Sequence, residues 1–280
     1  MTPKTSLLAL ASVAMMAAAP LAARADQLAD ILARKELRCG TFADVPPFAA
    51  PDPKTREMVG HDVDLCNALA KRLGVAAKAD AAVGGSARAR GQLGRVDITV
   101  ANLAYTLGRA EQIQFSDPYY LAKEMLAVLA SDPGTKPADF KGKRIAATKG
   151  STSELSIKLN GGEPVTFVDT GSVFMAVQQN KAVGMVANTM TITKLVNQSK
   201  TAGQPMKMIA EPMVFQPIGI GMKKDEPALL ARVNATLKAL DDEGELTRIW
   251  DKWLGMGTEF KMTRNDKVVP LTKLKFTPMP

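Results

Sequence analysis

The strongest candidate for a functional residue in this sequence is Arg109. It lies in TVANLAYTLGRAEQIQFSDPYY (99–120), between an apolar run typical of a strand and a Phe-Ser-Asp-Pro turn. A guanidinium presents a planar fork of donors that pairs with a carboxylate through two hydrogen bonds, which a lysine cannot reproduce. The pattern therefore predicts that Arg109 binds a carboxylate near a hinge. The alternative is an arginine on the solvated face of a short helix.

A second candidate site is the segment GSTSE (150–154), which follows a strand-like run and begins a helix-like one. The first backbone N–H groups of a helix have no intrahelical acceptor and face an arriving anion at the positive end of the dipole. The same segment matches a capping box, in which Ser151 accepts from the N–H of Glu154 and Glu154 reaches back. Both roles are compatible, because capping fixes the loop that presents Thr152.

Catalytic and metal chemistry are not expected from the remaining polar residues. His61 is the only histidine of the chain and has no nucleophilic partner nearby, so a catalytic triad is implausible. Asp62 and Asp64 stand in the first turn of a predicted helix, where they complement the helix dipole. The sequence contains no CxxC motif and no cysteine-histidine cluster. We expect neither a metal nor a cofactor.

Residues 1–25 have the pattern of a cleaved export signal. Lys4 precedes an apolar run (7–21), and Ala-Arg-Ala (23–25) is a small-residue cleavage site. The run is shorter than the roughly 20 residues that a membrane-spanning helix needs. No cysteine follows it closely, so a lipid-anchored form is not expected. We therefore predict a soluble periplasmic protein that begins at Asp26.

The two cysteines, Cys39 and Cys66, would meet an oxidising compartment after export, which permits a disulfide. Cys39 falls in a predicted strand and Cys66 on the inner stripe of the following helix. Free cysteine also packs well as a small hydrophobe. The sequence leaves both alternatives open, a disulfide or two buried thiols.

Strand and helix signals alternate along the chain, and such alternation is typical of parallel sheets covered by helices. Two blocks of this kind predict two lobes. The predicted strands are 37–41, 96–101, 144–147, 165–168 and 183–187, and the predicted helices are 26–34, 62–73, 152–159, 171–179, 189–197, 227–240 and 243–254.

The formal net charge is +8, and the basic residues are scattered, with few aromatic side chains to stack on bases. A nucleic-acid partner is therefore not expected. The segment GGSARARGQLGR (84–95) is an exception to this scatter, because its arginines make it strongly positive. Arg88 or Arg90 either favours an acidic ligand side chain or faces solvent.

Four motifs stand in one order: GHDVDLCNALAKRLG (60–74), the segment around Arg109, DFKGKRIAATKGSTSE (139–154) and LTRIWDKWLG (246–255). Together they resemble the polar amino-acid family of periplasmic solute-binding proteins that feed ABC importers. The resemblance implies an α/β protein with the two-lobed periplasmic binding protein type II fold. Each lobe would be a sheet with flanking helices, and a two-segment hinge near 119–123 and 214–218 would join them.

The resemblance also predicts how the chain divides. The signal peptide is 1–25, the first part of lobe one is 26–121, lobe two is 122–214, and the chain returns to lobe one over 215–255. The remaining residues, 256–280, form a C-terminal extension. This extension carries scattered charges and prolines without a helical period, so we expect it to be extended or loosely packed.

Site residues follow from the same resemblance. Arg109 would bind the α-carboxylate of the ligand, with further contacts from the backbone of Asn102 to Ala104, and Ser151 and Thr152 would bind from lobe two. Asn188 stands where the family usually has an aspartate that pairs with the α-ammonium. A neutral asparagine supplies no countercharge, and it is also among the best helix-capping residues. Asn188 is therefore predicted either to contact the ligand or only to cap its helix.

The predicted function is capture of an amino acid, polar or acidic, and its delivery by a monomer to an inner-membrane ABC permease. This function needs no catalysis. One alternative is an enzyme on the same fold, such as a cyclohexadienyl dehydratase, which would need an acid or base in the cleft. A second is a sensory or adaptor module. A third keeps transport but changes the ligand to a small carboxylate lacking an amino group.

Overall fold

The structure is a computed structural model that describes residues 26–42, 45–81, 94–201, 203–276 and 278–280. The predicted signal peptide (1–25) and most of the arginine-rich segment 84–95 lie outside the described residues. None of the helices in the described ranges has the length and apolar character needed to cross a membrane.

The described elements alternate much as the sequence predicts. The helices are α1 (Gln27–Arg34), α2 (His61–Leu73), α3 (Leu107–Ala110), α4 (Thr152–Leu159), α5 (Thr170–Gln178), α6 (Thr189–Ser199), α7 (Pro227–Asp242) and α8 (Glu245–Trp253). The strands are β1 (Glu36–Thr41), β2 (Ala50–Pro51), β3 (Met58–Val59), β4 (Ala76–Ala81), β5 (Ile98–Ala104), β6 (Gln114–Phe115), β7 (Tyr120–Leu129), β8 (Arg144–Thr148), β9 (Glu163–Phe167), β10 (Gly184–Asn188), β11 (Met206–Met208) and β12 (Val214–Met222).

Most of these strands form one mixed sheet with two parallel halves. Its order is β4-β1-β5-β12-β7-β10-β8-β9, while β6 adds to β12 and β11 adds to β7. In one half β1 pairs in parallel with β4 and β5, and in the other β8 pairs in parallel with β9 and β10. Parallel strands need covered crossovers, which the helices between them provide.

The two halves are joined by the antiparallel strands β7 and β12. One end of β12 (218–222) pairs with β5, and its other end (214–218) pairs with β7. Strand β7 in turn pairs with β12 over 120–124 and with β10 over 124–128. Both long strands therefore pass from one half of the sheet to the other, and they contain residues 120–123 and 214–218 of the two segments predicted to form the hinge.

Each half has its own apolar core. The first core packs α1, α2, α7 and α8 against β1 and β5, and includes Ile31, Leu65, Leu237 and Trp250. The second half has two clusters, one with α5 and α6 and the other with α4. The first cluster also includes Met190 of α6. Most of each core nevertheless belongs to one half of the sheet, which is typical of chains with two lobes.

Cys39 of β1 and Cys66 of α2 form a disulfide, with their Cα atoms 6.2 Å apart. Both residues are fully buried in the first core. Of the two alternatives that the sequence leaves open, the structure contains the disulfide, which ties α2 to the strand it covers.

The C-terminal extension, predicted to be extended or loosely packed, has little regular structure among its described residues but is held by defined contacts, so only the loosely packed alternative is wrong. The side chain of Arg264 is 3% exposed, and it donates to Asp241 Oδ1 (2.7 Å) and to the carbonyl of Tyr119 (3.0 Å). Met279 is 2% exposed, and its carbonyl accepts from the N–H of Leu107 (2.9 Å). Among its described residues the extension has one short 3-10 turn, Leu271–Lys273, and no other helix or strand. Long-range partners therefore fix it, and a local sequence pattern does not reveal them.

Candidate functional site

Arg109 lies on α3, a single helical turn that directly follows β5. The hydroxyl of Thr106 caps this turn by accepting from the backbone N–H of Arg109 (3.2 Å). The guanidinium Nη1 donates to the carbonyl of Ala104 (2.6 Å), which orients the fork. Burial lowers the pKa of Arg109 to about 10, so the group stays charged at neutral pH. The remaining guanidinium donors are suited to a carboxylate.

Strand β5 carries an irregularity at Asn102, just before Arg109. Leu103 pairs with Gly219 while Thr99 pairs with Gly221, so β5 holds extra residues that have no opposite partner. Asn102 has a φ of 43°, a left-handed conformation that asparagine tolerates better than most residues. Its side-chain oxygen accepts a hydrogen bond from the hydroxyl of Tyr120. Bulges of this kind re-aim a strand, and here the hydrogen bond from Tyr120 joins the bulge to the crossing strand β7.

The N-terminus of α4 has a modified capping box. The hydroxyl of Ser151 accepts from the N–H of Glu154 (3.3 Å) and donates to the carbonyl of Thr148 (2.6 Å). Glu154 reaches back to the N–H of Gly150 (2.9 Å) rather than to that of Ser151. The Ser151 hydroxyl is thus engaged in holding the loop, while the Thr152 hydroxyl donates to Glu124 on β7.

Glu124, which was not among the predicted site residues, is the acceptor of three side-chain hydrogen bonds. Its Oε1 accepts from Thr152 Oγ1 (3.0 Å) and Gln216 Nε2 (2.9 Å), and its Oε2 accepts from Ser153 Oγ (2.7 Å). The residue is 3% exposed. These bonds bring together α4 of the second half and both crossing strands, since Glu124 belongs to β7 and Gln216 to β12.

The charge of Glu124 is not neutralised by a direct ion pair. Burial raises the pKa of its carboxyl, and the hydrogen bonds from Ser153, Thr152 and Gln216 and the positive charge of Arg109 oppose this rise. The same interaction acts on Arg109, where burial lowers the pKa and the charge of Glu124 raises it. In the described part of the chain, Arg109 and Glu124 form no salt bridge with each other. A half-buried cation and a buried carboxyl group therefore act on each other electrostatically without forming an ion pair.

A sequence signal for Glu124 does exist. The strand YLAKEMLAVL alternates so that Ala122, Glu124 and Leu126 share a face, and all three are buried. A charged residue on the buried face of a strand is unusual and marks a paired or functional group. The signal was overlooked because only a hinge segment, 119–123, was predicted here, and the strand that contains Glu124 was not.

Asn188 occupies the N-cap of α6. Its Oδ1 accepts from the N–H of Thr191 (2.9 Å), as the capping alternative predicts. Asn188 is also paired with Glu124 across the β10–β7 ladder. Directly opposite residues of an antiparallel pair project to the same face of the sheet. Asn188 thus lies beside the buried carboxylate.

His61 and Asp62 belong to the first core. Asp62 is fully buried, its Oδ1 lies 3.0 Å from His61 Nδ1, and burial raises the pKa of its carboxyl. Asp62 stands in the first turn of α2, as predicted, and it also makes a buried contact with His61. The His61 ring stacks on Tyr119, with centroids 6.0 Å apart. Within the described ranges, no group of three or more His, Cys, Asp or Glu side chains could hold a metal ion.

The sequence matches the model of a known protein family over most of the chain. Residues 37–256 match the model of the bacterial extracellular solute-binding proteins, family 3. The chain belongs to this family. The match runs from β1 to just beyond α8, so it includes both halves of the sheet and every residue of the site described above.

Relatives in family 3 are named as amino-acid-binding components of ABC transporters. The glutamine-binding protein GlnH of Bacillus subtilis (strain 168) is 27% identical, over 82% of this chain and 85% of its own length. The ABC transporter arginine-binding protein 1 of Escherichia coli (strain K12) is 25% identical, over 79% of this chain and 91% of its own.

Solved structures agree with this family. An ancestral arginine-binding protein bound to arginine is 30% identical with a TM-score of 0.66, over 79% of this chain and 99% of that one. The ancestral amino acid-binding protein AncCDT-1, a precursor of cyclohexadienyl dehydratase, is 28% identical with a TM-score of 0.68, over 82% of this chain and 100% of that one. The fold is the type II periplasmic binding protein fold, as the sequence predicts.

Proposed function

We propose that this protein captures an amino acid between its two lobes and delivers it to an inner-membrane ABC permease. The observation that carries the proposal is the placement of Arg109 beside β5 of one half and of Thr152 and Ser153 on α4 of the other. Arg109 binds the α-carboxylate, and the N-terminus of α4 closes on the same group. Catalysis is not part of this function.

The lobes proposed are those of the sequence analysis: 26–121 with 215–255, and 122–214. Closure is a hinge motion at β7 and β12, the two strands that pass between the halves. Hinges of this kind are a few residues at the ends of elements that absorb the backbone change. The site backbone from Asn102 to Ala104 belongs to the first lobe, and Ser151 and Asn188 belong to the second.

Export is part of the proposal. Residues 1–25 direct secretion and are removed, and the mature monomer works in the periplasm. Membership in a family described as extracellular supports this location. The N-terminal peptide of protein isolated from the periplasm should begin at Asp26. Mass spectrometry that finds the intact segment 1–25 on that protein would contradict the proposal.

The ligand proposed is a polar or acidic amino acid. Relatives are named for glutamine, arginine and cystine, and all amino acids share the carboxylate that Arg109 suits. A thermal-shift screen of every proteinogenic amino acid tests this, because a ligand at about 100 times its Kd adds about 2.7 kcal/mol to stability. If no amino acid raises the Tm, the proposal is overturned. Organic acids lacking an amino group belong in the same screen, since they are the ligand alternative.

One observation favours a second candidate, an enzyme. Glu124 is a buried carboxyl whose pKa is raised by burial, and such a group can serve as a general acid. AncCDT-1, itself an amino acid-binding protein, is named as a precursor of cyclohexadienyl dehydratase, so this enzyme is the one to test. Incubation with prephenate and with arogenate, followed by detection of the aromatic product, tests this candidate. Turnover that is lost in Glu124→Gln would favour the enzyme over the transport protein.

A further inference from the structure

We propose that Glu124 binds the amino group of the ligand, so that the site selects α-amino acids over carboxylates that lack this group. This inference rests on the proposed function, since it assigns the second charge of the same ligand. Arg109 would then bind one end of a zwitterion and Glu124 the other.

The first argument is the state of the two charges. Arg109 is bonded to the neutral carbonyl of Ala104, and Glu124 is bonded to two hydroxyls and one amide. Neither of these described residues neutralises the other through a salt bridge, although each shifts the pKa of the other. A buried charge without a charged partner is costly. A ligand with a carboxylate and an ammonium compensates both at once.

The second argument is the acceptor capacity of the carboxylate. Oε1 of Glu124 accepts from Thr152 and from Gln216, whereas Oε2 accepts from Ser153. An ionised carboxylate offers about four acceptor positions on its two oxygens. Oε2 can therefore receive an N–H of an ammonium without displacing Ser153.

The third argument is the state of Asn188, the other candidate for this role. Its side-chain oxygen already accepts from the N–H of Thr191 at the start of α6. It is neutral, and it stands opposite Glu124 in the β10–β7 ladder. The negative charge that an ammonium needs is thus present at this place in the sheet, on β7 rather than on β10.

A purely structural role for Glu124 makes a different prediction. As a link between α4 and β12, a glutamine would serve as well, because its oxygen can accept from Gln216 and its amide can donate to Ser153. Burying a carboxylate costs desolvation free energy, and a neutral glutamine in the same structural role would avoid this cost. A structural role therefore predicts that Glu124→Gln changes neither affinity nor ligand selectivity.

The test is calorimetry on the full mature chain. Each amino acid that raises the Tm in the screen is paired with the same molecule lacking its α-amino group, such as L-glutamate with glutarate or L-glutamine with glutaramate. Wild-type protein should prefer the amino acid. Glu124→Gln should reduce this preference by at least about tenfold, since charge-assisted hydrogen bonds are roughly twice as strong as neutral ones. Glu163→Gln, at an exposed position of β9, is the matched control and should leave the preference unchanged.

Two further variants keep the result interpretable. Glu124→Asp retains the charge and should retain more selectivity than Glu124→Gln. If Glu124→Gln folds poorly, Glu124→Asp can still be compared with the wild type. Asn188→Asp combined with Glu124→Gln returns a charge to the opposite ladder position and should restore part of the preference. If the wild type binds an amino acid and Glu124→Gln shows the same selectivity, the role of Glu124 is overturned but the proposed function is not. Absence of binding to any amino acid would overturn the proposed function as well.

Discussion

Replacing Arg109 with alanine tests the carboxylate site directly. The substitution removes a charged fork that is oriented by the carbonyl of Ala104 at 2.6 Å, and it leaves the ligand carboxylate desolvated without its partner. Truncating one member of a buried, hydrogen-bonded charge pair costs about 2–5 kcal/mol. Since each 1.4 kcal/mol is tenfold in Kd, the affinity should fall by roughly thirtyfold to a few thousandfold.

Arg109→Lys is the matched variant, because it keeps the charge and loses the planar fork. We expect its affinity to lie between those of the wild type and Arg109→Ala, since a lysine pairs with a carboxylate as a point charge. This ordering separates recognition by geometry from recognition by charge alone. Equal affinities of wild type and Arg109→Lys would show that the fork contributes nothing.

Both variants should still fold. The turn α3 is held by the hydroxyl of Thr106 and by the carbonyl of Met279, and neither bond uses the side chain of Arg109. The bond to Ala104 is lost, which costs on the order of 1–2 kcal/mol in the free energy of unfolding. Isothermal calorimetry measures the affinity, and urea unfolding without ligand provides the control. A folded Arg109→Ala protein with wild-type affinity would refute the role assigned to Arg109.

Three further predictions concern stability, each measured by urea unfolding. Replacing Cys39 and Cys66 with serine opens a link across 27 positions, which should lower the free energy of unfolding by about 3.5 kcal/mol in the chain-entropy model, and an unchanged midpoint would contradict this. Arg264→Ala leaves Asp241 buried without its 2.7 Å partner, so we expect a loss of about 3–5 kcal/mol, and a loss below about 1 kcal/mol would mean that the extension is not held by this pair. Burial raises the pKa of Glu124 in the folded state. The stability that Glu124 contributes is therefore fully present below the pKa of this carboxyl group in the unfolded chain, and it is lost as the pH rises through the pKa in the folded state. Glu124→Gln should therefore stabilise the ligand-free protein near pH 8 relative to wild type and lose this advantage near pH 4, and the opposite trend would contradict the direction of the shift.

Local signals were sufficient for most helices. The predicted helix 152–159 agrees with α4, because Ser151 caps its first turn through the N–H of Glu154. Strand β4 was not predicted, because AAKADA lacks the β-branched and aromatic residues that favour strands. It exists through its parallel pairing with β1, a contact that a local pattern does not contain. The same reason explains the extension, whose packing depends on Arg264 meeting Asp241.

The site divides in the same way between local and long-range information. Arg109 could be selected from its own chemistry and its place after an apolar strand. The position of Glu124 depends on register, because it becomes opposite Asn188 only when β7 pairs with β10 and comes near Gln216 only when β7 pairs with β12. A shift of one residue in β7 would turn its side chain to the other face of the sheet. From the sequence, the neutral Asn188 indicated that the site lacks a negative charge. The pairing of β7 with β10 and β12 places the carboxyl group of Glu124 beside Asn188.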